Sequence, residues 1–229
     1  MKLVERTQPK RLRASVVIPC AHKHSVRLAE LLEHLGRQTR KADEIIVALS
    51  GCDAPPLPNH VRLLHSAEPC TAGKNRNRAS EVATGDVLIY QDADDLPHPQ
   101  RVEIVLALFE RYEIDHLMHG YIYTMGHTWS IGHPGEPSAH RPLPIEMPPL
   151  SIEEATEKSC YRSEPLHTTI VTSGEVCIMR STWEKVCWPE RRMTGEDYEF
   201  NQAIFRTFKR TVTTEVPLIV YRHHYSAGI

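Results

Sequence analysis

The chain has 229 residues, 41% hydrophobic and 24% charged, enough to bury a sizeable core in one compact domain. Lys and Arg number 27 against 29 Asp and Glu, for a net charge of −2, which argues against duplex nucleic acid or an anionic membrane as the partner. No run of eighteen apolar residues occurs, and the basic first thirteen residues lack the apolar centre of a signal peptide, so a soluble, cytoplasmic protein without a membrane span is expected.

Residues 14–19 form a short apolar run rich in β-branched side chains and closed by Pro19, the pattern of a buried strand. Leu28, Leu31, Leu32 and Leu35 then fall at i, i+3, i+4 and i+7, predicting a helix with Ser25 as N-cap and Gly36 near its end. Strands are expected over 44–49, ending in Ser50 and Gly51, and over 61–64, followed by helical pattern from about Gly73 to Gly85. Residues 86–90 read as the next strand. Pro99 opens a helix whose Val102, Val105, Leu106 and Phe109 share a face, and 116–124 again reads as strand. Strands alternating with helices of ten to fifteen residues indicate βαβ units and a largely parallel sheet.

The order changes after Gly126. Residues 127–149 hold Pro134, Pro137, Pro142, Pro144, Pro148 and Pro149, too many breakers for a regular element, so an irregular segment is expected, either a functional loop or a passive insertion. Ser151 to Glu154 is a capping box for a short helix ending near Lys158. Residues 176–179 are strand-like and 181–186 helical, 196–208 place Phe200, Ile204, Phe205 and Phe208 on one helical face, and 216–221 close with a strand. The expected division is an N-terminal extension (1–13), a first half (14–126) and a second half of the same domain (127–229).

Four clusters carry candidate chemistry. Asp92, Asp94 and Asp95 follow the apolar run 87–90, so a buried strand is expected to push three carboxylates out at its carboxyl edge, where open α/β sheets bind ligands. Hard oxygen donors that close repel unless a cation is shared, which suits Mg²⁺ or Mn²⁺; an acidic turn is the alternative. Lys74, Arg76 and Arg78 gather at a helix start, a phosphate site or a solvated basic face, and not a P-loop. Glu196 and Asp197 open a helix, either as dipole-favoured capping charges or with one as a general base. Tyr221-Arg222-His223-His224 ends the last strand, where one imidazole can face a metal. The remaining histidines, His22 and His24 among them, are scattered without a metal-binding repeat, and most are expected at the surface or in loops. The six cysteines form no C-x-x-C pair and are expected to be reduced.

This ordered set, from the Ser-Val-Val-Ile-Pro first strand through the Arg-Asn helix start, the Asp-Ala-Asp-Asp loop and the Gly-Glu-Asp helix to the terminal Tyr-Arg-x-His, resembles the family 2 glycosyltransferases of the GT-A fold over residues 14–228. The resemblance implies a mixed, mostly parallel sheet flanked by helices, and inverting transfer of a sugar from a nucleotide-sugar donor to an acceptor hydroxyl. It places Pro19, Ser50, Lys74, Arg76, Asp92, Asp94 and Arg222 against the donor, with Mn²⁺ or Mg²⁺ held by Asp94, His224 and Asp92, and His223 as the alternative imidazole. Asp95 would support the loop, Asp197 would be the general base and Glu196 would orient base or acceptor. A UDP-sugar donor and a glycan, lipid-linked or other hydroxyl acceptor follow from the same likeness. One departure stands out: the second strand ends in Ala48-Leu49-Ser50-Gly51, where family members carry Asp for the uracil. The competing readings are a nucleotidyl- or phosphoryl-transfer enzyme acting on sugar nucleotides and a catalytically inactive sugar-nucleotide-binding protein.

Overall fold

The computed structural model describes residues 2–8, 10–125, 128–133, 136–137, 141–142, 147–162, 173–191 and 194–222. The strands are β1 (Ala14–Ala21), β2 (Glu44–Ser50), β3 (Val61–Ser66), β4 (Val87–Tyr90), β5 (Leu96–Pro97), β6 (His116–Met125), β7 (Thr128–His133), β8 (Glu136–Pro137), β9 (Arg141–Pro142), β10 (Ser159–Tyr161), β11 (Val176–Met179) and β12 (Thr211–Arg222). The helices are α1 (Leu28–Gly36), α2 (Ala72–Val82), α3 (Arg101–Arg111), α4 (Ile152–Glu157), α5 (Arg180–Trp183) and α6 (Glu196–Thr207), with 3₁₀ segments at His22–Arg27 and Ser173–Glu175.

The strands join in the order β10-β12-β6-β11-β4-β1-β2-β3, with β5 on β12 and β7 on the outside of β6. β1, β2, β3 and β4 are mutually parallel. β11 is antiparallel to both β4 and β6, and β12 is parallel to β6, so β6 and β12 resume the direction of β4. The carboxyl ends of β1, β2, β4 and β12 therefore share one edge of the sheet.

Both faces of the central strands are covered, which is why they read as unbroken apolar runs. Val16, Ile18 and Cys20 of β1, with Val87 and Ile89 of β4, pack beneath α1 and α3; Val17, Leu88 and Tyr90 face α2, Trp188 and α6. The alternation is the period-two pleat of the strand. Gly85 permits the close approach ahead of β4, since a Cβ there would lie 2.5 Å from Ser15 Oγ and 2.7 Å from its backbone nitrogen.

Several expectations change in detail. Ser25 does not cap α1: it sits inside the preceding 3₁₀ turn, where its hydroxyl bonds the His22 carbonyl, and Arg27 holds the cap position. The segment 127–149 is not wholly irregular. Its described part holds β7, β8 and β9, with Pro137 and Pro142 at strand ends, where a missing N–H is tolerated. Pro134 and Pro144 lie outside the described residues. The capping box forms in half, Ser151 Oγ accepting from Glu154 N–H at 2.9 Å while the Glu154 carboxylate pairs with Lys158. All six cysteines are unpaired, and no helix among the described residues is long and apolar enough to cross a membrane.

Candidate functional site

Where β4 ends, the chain closes a four-residue turn in which Asp95 N–H bonds the Asp92 carbonyl at 3.2 Å. The side chains alternate across it. Asp92 and Asp94 remain partly open, whereas Asp95 is 1% exposed, so two carboxylates leave the edge together rather than three. The third is turned inward because β12 needs it: Asp95 Oδ1 accepts the Arg222 N–H at 2.9 Å, while its Oδ2 is buried without a hydrogen-bond partner. Burial first, then the neighbouring Asp94 and Asp92 charges, push the Asp95 carboxyl well above the usual carboxylate range.

Above this turn is a cavity of about 290 Å³ lined by Pro19 and Cys20 from β1, Lys23 and His24 from the following 3₁₀ turn, Thr71, Asn75 and Arg76 at the start of α2, Asp92 and Asp94 from the turn, and Tyr221 from β12. Sequence reasoning counted His24 among scattered surface or loop histidines and gave it no role. Its Nδ1 lies 3.2 Å from Asp94 Oδ2, and the only sequence signal was its position just beyond the carboxyl end of β1. Burial raises the Cys20 thiol to about 12, so it lines the cavity as a neutral group.

The cations expected to gather at α2 diverge. Thr71 caps the helix through the Lys74 N–H, the Lys74 side chain is exposed and outside the cavity lining, and Arg78 bonds Asn75 Oδ1 at 2.9 Å. Arg76 turns inward. It is 3% exposed, donates to Asp92 Oδ1 at 2.7 Å and Glu196 Oε1 at 3.1 Å, and stacks 4.6 Å above the Trp188 ring. That indole lies parallel to Phe200 of α6 at 3.8 Å. One guanidinium thus ties the acidic turn to the first residue of α6. Gly73 lets α2 approach this wall, since a Cβ would sit 2.2 Å from the Pro189 carbonyl oxygen.

Asp197, next along α6, is half-buried and accepts the Tyr198 N–H at 2.7 Å. Its carboxyl is pushed up to about 6, mainly by burial and further by Glu196, against the lowering effects of the Tyr198 N–H and Arg76. It does not line the cavity itself; it follows Glu196, the residue that Arg76 ties to Asp92. Ser50 is buried beneath the cavity, where its hydroxyl accepts from Asn75 Nδ2 at 2.9 Å and Cys70 N–H at 3.1 Å. Arg222 bonds the Asp94 carbonyl through Nε and Glu30 through Nη1, so two of its nitrogens serve the protein itself. His223 and His224 lie outside the described residues.

Asp92 and Asp94 offer hard oxygen donors at the cavity floor, the chemistry that suits Mg²⁺ or Mn²⁺. Among the described residues no group of three His, Cys, Asp or Glu that could hold a metal ion occurs.

The family profile described as glycosyl transferase family 2 matches residues 15–185. The chain belongs to that family. No curated protein matches the sequence significantly. Among solved structures, this family 2 member is similar to S. aureus TarS 1–349 in complex with UDP, with a TM-score of 0.67 and 16% identity over 92% of this chain and 60% of the other. S. aureus TarS 1–349 in complex with UDP-GlcNAc gives 0.67 and 18% over 95% and 62%. Against S. aureus TarS without that restriction in length the score is again 0.67, with 92% of this chain and 37% of the other covered. The likeness establishes the GT-A fold, and the family 2 chain spans less than two thirds of the length of these relatives.

Proposed function

We propose that this protein is an inverting glycosyltransferase that moves a sugar from a nucleotide-diphosphate sugar to an acceptor hydroxyl, with residues 14–126 forming the donor half and 127–229 the acceptor half. The observation that carries the reading is the convergence of Asp92, Asp94, the start of α2 and the end of β12 on one cavity at the carboxyl edge of the sheet, with Arg76 bridging Asp92 to Glu196, the chain neighbour of Asp197. UDP and UDP-GlcNAc occupy the similar TarS chains, which makes a UDP-sugar the first donor to test.

Asp94 and Asp92, with His224 from the segment that follows the anchored Arg222, would hold Mn²⁺ or Mg²⁺, which when bound neutralises charge on the nucleoside-diphosphate leaving group. The protein's own groups do the rest. Lys23, His24 and the capped start of α2 face the cavity and favour phosphate, with Pro19 on the floor. Asp197 takes the acceptor proton, a task suited to a carboxyl raised toward neutrality by burial. Glu196, held by Arg76, sets the first turn of α6. A glycan, a lipid-linked sugar or another hydroxyl compound is the acceptor class, and a cytoplasmic setting accords with the unpaired cysteines.

A panel of UDP-, GDP- and dTDP-sugars incubated with Mn²⁺ tests the reading. Release of the nucleoside diphosphate is expected, weakened in Asp94→Ala. Release of pyrophosphate would indicate phosphoryl or nucleotidyl chemistry, and tight donor binding without turnover would indicate a binding protein.

A further inference from the structure

Directly beneath the acidic turn lies a guanidinium that the donor chemistry does not touch. Arg101, in the first turn of α3, is 1% exposed, and the groups that accept its hydrogen bonds are all uncharged. Its Nη2 donates to the Tyr90 carbonyl at 2.8 Å and to the Gly174 carbonyl, its Nη1 to Gln91 Oε1, and its Nε to His119 Nε2 at 3.1 Å. His119 Nδ1 meets the Gly120 carbonyl at 2.8 Å, which fixes the acceptor nitrogen toward Arg101. Burying an ion whose hydrogen bonds all go to neutral groups costs several kcal/mol, so its retention calls for a role in this place.

The amide of Gln91 supplies that role. With Oε1 held by Arg101, its Nε2 points upward and donates to the carbonyls of both Asp92 and Asp95 at 3.1 Å. These are the first and last residues of the turn. The Ser173–Glu175 turn closes the same space from the side: a Cβ on Gly174 would lie 3.5 Å from Asp95 Oδ2 and 3.7 Å from Asp92 N. Arg101 therefore grips the strand end, the amide under the turn and the neighbouring 3₁₀ turn at once, and its charge acts on Asp92 and Asp95.

We propose that Arg101 and Gln91 are positioning residues for donor binding: the guanidinium orients the Gln91 amide, and the amide sets the backbone of the acidic turn so that Asp92 and Asp94 are presented to the cavity at fixed spacing. The inference rests on the reading of that cavity as the donor site, and the experiment separates the two. Gln91→Glu keeps an acceptor for Arg101 but deletes both hydrogen bonds to the turn; Arg101→Lys keeps the charge but deletes the fork.

Hydrogen–deuterium exchange is followed for peptides covering residues 91–97 and for β1 and β2, alongside calorimetric titration with UDP and Mn²⁺. Both variants are expected to exchange faster over 91–97 with β1 and β2 unchanged, and to bind UDP about tenfold or more weakly, as displacement of positioned groups does. Unchanged exchange over 91–97, or a rise spread evenly over the whole protein, would overturn the positioning role. Wild-type protein that fails to bind UDP would instead count against the donor reading, and the exchange result would still decide the role of Arg101 and Gln91.

Discussion

Asp197 faces opposite demands at the level of a single residue. As a base it must be ionised, yet burial holds its carboxyl near 6. Acceptor-dependent turnover is therefore expected to rise with pH along an acid limb with an apparent pKa of about 6, because the ionised form is fully present only above that value; a pH profile of kcat/KM checks it, and an acid limb at 4 would contradict it. Asp197→Asn should lower kcat by a factor on the order of 10²–10⁴ while leaving UDP affinity nearly unchanged. Stability should hold or increase in that variant. A carboxyl raised above its unfolded value destabilises the fold at neutral pH, an effect relieved as pH falls through about 6, and the amide carries no charge to desolvate. Thermal denaturation of the variant at pH 7 provides the measurement.

At the scale of elements, the site depends on a contact between α2 and α6 that no local pattern announces. Arg76 reads in sequence as one of three cations at a helix start. Its partner Glu196 lies 120 residues away, and the packing of Trp188 against both Arg76 and Phe200 helps bring the two together. Arg76→Met would leave Asp92 and Glu196 without their shared cation. A loss of about 3–5 kcal/mol is expected from removing one side of a buried ion pair, which for a chain of this size lowers Tm by roughly 6–20 °C; a change under about 2 °C would show that the bridge is not structural. The strands and the apolar faces of α1, α3 and α6 were legible because hydrophobic period follows from burial on a sheet. The strands of 128–142 were not, since proline content outweighs pattern when the partner strands are short. The inward turn of Asp95, the anchoring of Arg222 and the approach of His24 to Asp94 were equally hidden, because each is set by a partner distant in sequence.

For the molecule as a whole, the interior holds imidazoles that must stay neutral. His116 is fully buried on β6, edge-on to Phe205 at 6.0 Å, and burial drops its pKa to about 3. Its contribution to stability is present above the unfolded value of 6.5 and is lost as pH falls toward 3. His116→Phe should therefore gain on wild type by about 1.4 kcal/mol per pH unit below 6.5, read from urea unfolding at pH 7, 6 and 5; parallel stability curves would contradict it. The larger claim is that the carboxyl edge of this sheet assembles one donor site from β1, α2, the acidic turn and β12. Crystals grown with UDP and Mn²⁺ and measured at the manganese edge test it most directly. The account predicts an anomalous peak within coordination distance of Asp94, with the diphosphate between that peak and the start of α2; a manganese peak or UDP density in any other cavity would contradict it.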